Sequence, residues 1–269
     1  MNILKTGAIG IFGTLATSSV IEKSMKNYDT DIIPAIDTVS IIIPSYNEES
    51  FIETAILSLR DQSIIHNYPH SFEFILVDSQ STDKTVQIAK PYIDKIILSP
   101  RGKLTARDMA INSASGNIIV SVDADTFYPH HWLNTLLKPF IDSKYYNVVG
   151  VNGSTIDKSI VGVPGPVRNI MELFDNMIYP YKMLGRNSAF YKHAYFLVGG
   201  FDKSANQLSV KDMVFEEEIS FGDKLSKIGT VVYKMNASCI HLGGSKISCR
   251  WNFKDKDSCA SYGIGVDRF

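Results

Sequence analysis

Four short apolar runs, separated by segments of helical period, fix the fold class of this chain. The runs are Val39-Ser40-Ile41-Ile42-Ile43-Pro44, Phe72 to Val77, Lys95 to Leu98, and Ile118 to Val122. They are rich in β-branched residues, which suits strands buried on both faces of a parallel sheet. Between them, Phe51 to Leu59 sets Ile52, Ala55, Ile56 and Leu59 at helical spacing. Lys84 to Lys90 follows Asp83, a capping residue, and Leu104 to Ser115 runs into Gly116, read as a helix stop. This alternation predicts an α/β fold, a mostly parallel sheet covered by helices on both faces. Such sheets bind ligands at the carboxyl ends of their strands. Here those ends carry Tyr46, Asn47 and Glu48, then Asp78, then Asp123 and Asp125.

The last exit is the most informative. Asn117 to Phe127 reads as a buried strand ending in Asp123-Ala124-Asp125. Carboxylates at i and i+2 of an extended segment point the same way. Two anions in one small volume repel unless a cation lies between them or one is protonated. A divalent metal beside a phosphorylated ligand satisfies that requirement. A solvated strand end is the alternative for the tripeptide taken alone.

The 269 residues carry a net charge of −1, so there is no basic field to hold nucleic acid. Cys239, Cys249 and Cys259 are an odd, widely spaced set without a Cys-x-x-Cys pair. They read as reduced thiols in a cytoplasmic protein. Gly7 to Ile21 is weakly apolar and, at 1.5 Å per residue, too short to span a bilayer of roughly 30 Å. It reads as an accessory helix packed on the body, with peripheral membrane contact as the other option. The expected organisation is an N-terminal helix and linker over 1–38, a nucleotide-binding half over 39–127, and an acceptor-binding half over 128–269.

The second half is less regular. His131 to Phe140 looks helical and Val148 to Thr155 extended. Ser159 to Pro166 is a Gly- and Pro-rich loop, and Val167 to Met183 is helical up to Pro180. Gly199-Gly200 marks a turn. Phe215 to Lys227 reads as a helix opened by Glu216, Glu217 and Glu218, with Thr230 to Met235 as a strand and His241 to Ser245 as a glycine-rich loop.

In order and spacing these segments resemble the inverting family-2 glycosyltransferases of GT-A fold, from about Val39 to His241. The resemblance rests on Ile42-Ile43-Pro44-Ser45-Tyr46-Asn47-Glu48-Glu49, Val77-Asp78-Ser79-Gln80-Ser81-Thr82-Asp83, Asp123-Ala124-Asp125, Val198-Gly199-Gly200-Phe201-Asp202, and Glu217-Glu218 followed by Gly222 and Leu225. It implies a GT-A, Rossmann-like sheet with a smaller mixed portion on the acceptor side. The implied donor is a UDP- or GDP-sugar and the implied acceptor a glycan or lipid-linked hydroxyl. Pro44, Tyr46, Glu48, Asp78, Arg107, Asp123 and Ala124 are then expected around the nucleotide. Asp125, with Asp123 and His241, is expected at Mn2+ or Mg2+. Glu218 falls on the family's general base, with Glu217 as the other candidate. Three departures stand out: glutamate replaces the usual aspartate at 218, Ser79 stands where aspartate is frequent, and Asp108 where asparagine is common.

Two other classes are compatible with converging acids. A nucleotidyltransferase would need a glycine-rich basic loop after the first strand, whereas Ser45 to Ser50 is acidic and lacks glycine. A non-catalytic sugar-nucleotide-binding module would bind donor without turnover. Acceptor choice is expected to lie with Ser159 to Tyr191, where Phe174, Tyr179 and Tyr181 either stack on sugars or belong to the core.

Overall fold

A computed structural model of the chain describes residues 38–157, six positions between 167 and 178, 179–202 and 210–242, with side chains from 217 onward in the last segment. The expected helix at 7–21, the linker at 25–37, the loop at 159–166, residues 243–245, Cys249, Cys259 and the Glu216 side chain lie outside the described residues.

The first half follows the alternation. β1 (Val39–Ser45), β2 (Phe72–Asp78), β3 (Lys95–Leu98) and β4 (Ile118–Val122) pair in parallel in the order β3-β2-β1-β4. Helices α1 (Ile52–Arg60), α2 (Ser63–Asn67), α3 (Thr85–Ala89) and α4 (Lys103–Ser113) connect them. Successive strand residues point to opposite faces, so the core splits in two. Ile41, Ile43, Phe74, Leu76, Val120 and Val122 pack with α1 and with α5 (Trp132–Leu137). Ile42, Ile75, Val77 and Ile119 pack with Ala106, Ala110 and Ile111 of α4 and with Phe221 and Leu225 of α7 (Val210–Ser226). α6 (Lys192–Leu197) lies between β7 and the Gly199-Gly200 turn, whose φ values are +79° and +68°.

Beyond β4 the sheet changes character. β7 (Asn187–Tyr191) is antiparallel to β4 and to β6 (Val148–Asp157). β8 (Thr230–His241) runs parallel to β6, and the two-residue β5 (Thr126–Phe127) closes the far edge against β8. β8 is longer than expected because it bulges. Gly153 of β6 faces Lys234, but Ser154 faces Ser238, so three residues loop out. The Asn187 amide donates to the Ser154 and Ala237 carbonyls, and its oxygen accepts the Trp132 indole N–H at 2.8 Å. A Cβ at Gly153 would collide with the Ala237 carbonyl and the Asn187 amide. Glycine is therefore required at the bulge, and beyond it β8 rejoins the sheet and sets His241 opposite Thr126.

Some local expectations are corrected. β1 runs one residue past the expected Val39 to Pro44 and pairs on to Ser45, because proline at a strand end leaves its neighbours' hydrogen bonds intact. Gly116 is not a helix cap. It lies against β1, where an added Cβ would come within 2.6 Å of the Ser40 nitrogen. α7 begins at Val210, so the three glutamates lie well inside the helix and do not open it. Phe174 and Tyr181 are 59% and 42% exposed and are not core residues. Among the described residues no helix is long and apolar enough to cross a membrane.

Candidate active site

The exits of all four parallel strands meet at one cleft of about 290 Å³, open to solvent. Pro44 to Tyr46 and Glu48 come from β1, Ser79 from β2, Arg101 to Lys103 from β3, and Asp123 to Asp125 from β4. The β1 and β2 exits are stitched together. The Asn47 N–H donates to Ser81 Oγ and the Asn47 side-chain oxygen accepts the Thr82 N–H at 2.8 Å. Glu48 N–H donates to Thr85 Oγ1 and Glu49 N–H to Asp83. Asp83 also accepts the Thr85 N–H, capping α3 as its type predicts. Asn47 and Gln80 take positive φ, 53° and 63°, to make these turns.

Asp78 is buried and does not line the cleft. It accepts from Ser45 Oγ, Ser81 Oγ and the Ser81 N–H, so it organises the loop that brings Ser79 to the surface of the cleft. Tyr46 is half-exposed, but one face is covered by the Arg101 guanidinium, 4.3 Å from the ring centroid, which also donates to its hydroxyl. Arg101 sits on the β3 exit, the one exit not examined in the sequence. Burial, then repulsion from Asp125 and Asp123, pushes the Glu48 carboxyl up to about 7.

The two aspartates of Asp123-Ala124-Asp125 do not act as an extended pair. β4 ends at Val122 and the tripeptide turns, so the carboxylates take different partners. Asp123 is 3% exposed. Lys103 Nζ reaches its Oδ2 at 2.6 Å and Arg107 Nη2 its Oδ1 at 2.8 Å, with Arg186 Nε 4.0 Å away. Burial opposes the Asp123 charge, but these cations outweigh it and hold its carboxyl well below the usual range. Arg107 corrects a further expectation. Its guanidinium is 2% exposed and bonded to Asp123 and Ser121, so it secures Asp123 and does not face the cleft. Lys103, one turn earlier on α4, is the cation at the surface.

Asp125 turns the other way. Its Oδ1 lies 3.4 Å from His241 Nδ1, and its carbonyl accepts the Leu242 N–H. Both side chains are about one-fifth exposed. His241 Nδ1 is buried and has no hydrogen-bond partner among the described residues. A carboxylate oxygen and an imidazole nitrogen facing each other suit a cation that accepts mixed O and N ligands. Among the described residues no group of three or more His, Cys, Asp and Glu is arranged to hold a metal, and Asp123, the third expected ligand, is committed to Lys103 and Arg107.

α7 carries Glu217 and Glu218, which line a separate small cavity together with Arg107 and Gly185. Glu218 is partly exposed and its Oε1 accepts the Gly185 N–H at 2.9 Å. Burial raises its carboxyl, opposed by that N–H and by Arg107 and Arg186. Glu217 is buried. Its Oε1 accepts the Asp202 N–H at 2.8 Å, tying the Val198 to Asp202 turn to α7, while Oε2 has no partner among the described residues. Burial pushes Glu217 up to about 7. Arg186, unnoticed in the sequence, lies between the two sides of the site. Burial works against its charge, but Asp123 and then Glu218 outweigh it. The departures also find partners: Ser79 Oγ pairs with Ser99, and Asp108 accepts the Tyr195 hydroxyl at 2.7 Å.

A parallel half-sheet with a polar cleft at its carboxyl edge, extended by a mixed set of strands against which the acid-bearing helix α7 packs, is the architecture of the GT-A glycosyltransferases. Two solved structures share it. The mannosyltransferase PcManGT from Pyrobaculum calidifontis, in complex with GDP-Man and Mn2+, superposes with a TM-score of 0.59 over 93% of this chain and 71% of its own, at 19% identity. Residues 1–349 of S. aureus TarS, in complex with UDP-GlcNAc, give 0.58 over 78% and 60%, at 18% identity. In sequence, the poly(ribitol-phosphate) beta-N-acetylglucosaminyltransferase TarS of Staphylococcus aureus is 29% identical over 171 residues, 56% of this chain and 29% of that protein. The chain spans 29% to 38% of the length of the curated relatives it matches. The sequence model of Glycosyl transferase family 2 matches residues 40–198, and the chain belongs to that family.

Proposed function

We propose that the chain transfers a sugar from a nucleoside-diphosphate sugar, UDP- or GDP-linked, to a hydroxyl of a glycan or lipid-linked acceptor, with inversion at the anomeric carbon. The observation that carries this reading is the convergence of four strand exits, acidic and cationic together, on one cleft. A nucleotidyltransferase is disfavoured by the β1 exit, which is acidic and lacks glycine.

In this reading the nucleotide lies along the Pro44 to Glu48 exit, with Glu48 accepting from or donating to a ribose hydroxyl and Ala124 below. Asp78 supports that wall from within. Lys103 and Arg101 offer positive charge to the diphosphate. Asp125 and His241 are the residues that would hold a divalent cation. The cation, Mn2+ or Mg2+, supplies Lewis-acid stabilisation of the charge on the departing diphosphate. Glu218, oriented by the Gly185 N–H, accepts the proton of the acceptor hydroxyl as its oxygen bonds to the anomeric carbon and the carbon–phosphate-oxygen bond breaks.

The test is nucleoside diphosphate release from UDP-GlcNAc or GDP-mannose with a glycan acceptor mixture. Asp125→Ala and Glu218→Gln are expected to abolish release while the fold, read by circular dichroism, survives. Full release by Asp125→Ala under strict chelation would remove the metal from the mechanism. Full release by Glu218→Gln would remove the base.

A further inference from the structure

One apolar helical face is left open to water. Val167, Ile170, Met171, Phe174, Met177 and Ile178 are helical, and all six are exposed, by 46% to 72%. Tyr181, next at the same spacing, is 42% exposed. Separations of three and four residues put these side chains on a single stripe. The segment is fixed to the body at its C-terminal end. A Cβ at Gly222 of α7 would collide with the Tyr181 carbonyl, and the Met183 N–H donates to the Glu218 carbonyl at 2.9 Å. Gly185 and Arg186, which reach Glu218 and Asp123, follow directly.

Side chains of this size, exposed to this extent, leave on the order of 100 Å² each to water. The seven together present roughly 700 Å², more than most monomers leave in one patch and close to the roughly 800 Å² per partner of a standard-size interface. The stripe carries no charge. The charged residues between its positions are Arg168, Glu172 and Asp175, so the segment lacks the Lys- and Arg-rich polar face of membrane-surface helices. The order of the residues selects a second copy. About Phe174 the stripe is nearly its own reverse: Met171 and Met177 stand three residues away, Ile170 and Ile178 four, Val167 and Tyr181 seven. A two-fold interface needs this property, since residue i meets j wherever j meets i. An antiparallel pair of such helices centred on Phe174 sets Met171 on Met177, Ile170 on Ile178 and Phe174 on itself.

We propose that two copies of this chain associate through this face, with the helices antiparallel and crossing at Phe174, to form a two-fold symmetric dimer. Removal of the stripe from water supplies the driving force. Phe174, an aromatic side chain on the axis, is the central anchor, and the paired methionines and isoleucines around it exclude water. Val167 and Tyr181 close the two ends. The contact also ties the two sites together, because each helix leads through Tyr181 to the Gly185 and Arg186 of its own site. The inference concerns association, and it stands or falls independently of sugar transfer.

Sedimentation equilibrium of the full chain at about 1 to 100 μM tests it. Wild type is expected to show the mass of two chains. Phe174→Glu and Phe174→Lys each set like charges against one another on the axis, and each is expected to raise the dissociation constant by about a hundredfold or more. Phe174 is 59% exposed, so both variants are expected to keep the fold, read by circular dichroism. An equimolar mixture of the two sets Glu against Lys and is expected to recover a dimer containing one of each, separable from the parents by ion exchange. A wild type that stays monomeric at the highest concentration overturns the proposal, as does a dimer that survives both substitutions. A mixture that stays monomeric removes Phe174 from the axis and overturns the antiparallel arrangement. Phosphatidylcholine vesicles probe the other occupant. A monomeric wild type that floats with them, and no longer does so as Phe174→Glu, assigns the face to lipid and overturns the dimer.

Discussion

Arg107 separates two accounts of this site by a single substitution. If its guanidinium bound the donor, Arg107→Met would weaken donor binding and leave the fold alone. In the structure it is 2% exposed and pairs at 2.8 Å with Asp123, itself 3% exposed. Removing one partner of a buried pair strands the other charge and costs about 3–5 kcal/mol. Lys103 still reaches Asp123 at 2.6 Å, so the lower half of that range is expected. For a chain of this size about 2–4 °C of Tm are lost per kcal/mol, giving a drop on the order of 6–16 °C. Urea and thermal denaturation by circular dichroism read it directly. Lys103→Met is the control. That side chain is 38% exposed, so its ion pair is worth about 1 kcal/mol or less, and its loss is expected to appear in donor affinity. An Arg107→Met protein as stable as wild type, with a raised KM for donor, would show that Arg107 faces ligand and that the Asp123 clamp has been misread.

Three further outcomes follow from the geometry. Glu217 is raised to about 7 in the fold, so its protonation contributes stability that is complete below about 4.5 and is lost as pH rises through about 7. Tm of Glu217→Gln minus wild type is therefore expected to grow between about pH 5 and 8, by up to about 3 kcal/mol of stability, and a constant difference would contradict a buried neutral acid. Asp125→Ala and His241→Ala are each expected to abolish the Mn2+-induced rise in Tm, which at a hundredfold excess over Kd amounts to about 2.7 kcal/mol in wild type. An unchanged Mn2+ response would place the ion elsewhere. Gly153→Ala forces a Cβ into the Ala237 carbonyl and Asn187, so about 1–3 kcal/mol of stability is expected to be lost. If the bulge delivers His241 to Asp125, the Mn2+ response weakens with it, and a stable variant with full response would mean that the second stretch of β8 is set independently.

β1, β2 and β4 were legible because each is a buried apolar run and because buried parallel strands leave little freedom of register. β3 is an edge strand, not buried on both faces as expected, with Leu98 69% exposed, and was legible only from its Ile96-Ile97 pair. β1, β2, β3 and β4 stand within a residue or so of their expected limits. β8 was seen only as far as Met235. Its continuation depends on a bulge opposite Gly153, a tertiary contact with Asn187 and Ala237 that no local pattern in Thr230 to His241 encodes. α7 was started too late for a related reason. Val210 to Phe215 carries no strong cap, and its helical state is not announced by the glutamates that follow.

The site was legible in its anions and not in its cations. Acids at strand ends are noticed because nothing in a hydrophobic run predicts them. Arg101 and Arg186 sit in loops, where a lone arginine usually means solvent. What gives them meaning is Asp123, and Asp123 was read as a partner of Asp125. A turn after Val122 sends the two carboxylates apart, one to Lys103 and Arg107, the other to His241. The i, i+2 rule holds only while the backbone stays extended, and here it ends with Val122. The signal that would have found the cations is arithmetic of charge. An aspartate at the end of a strand this deeply buried needs a neutralising partner. Leu104 to Ser115, the helix delivered to the same edge of the sheet, carries Arg107, with Lys103 one turn before it. Read that way, Asp123 is the fixed counter-ion that keeps Lys103 and Arg186 in place beside the cleft, and positive charge there belongs to the protein before any cation or donor arrives.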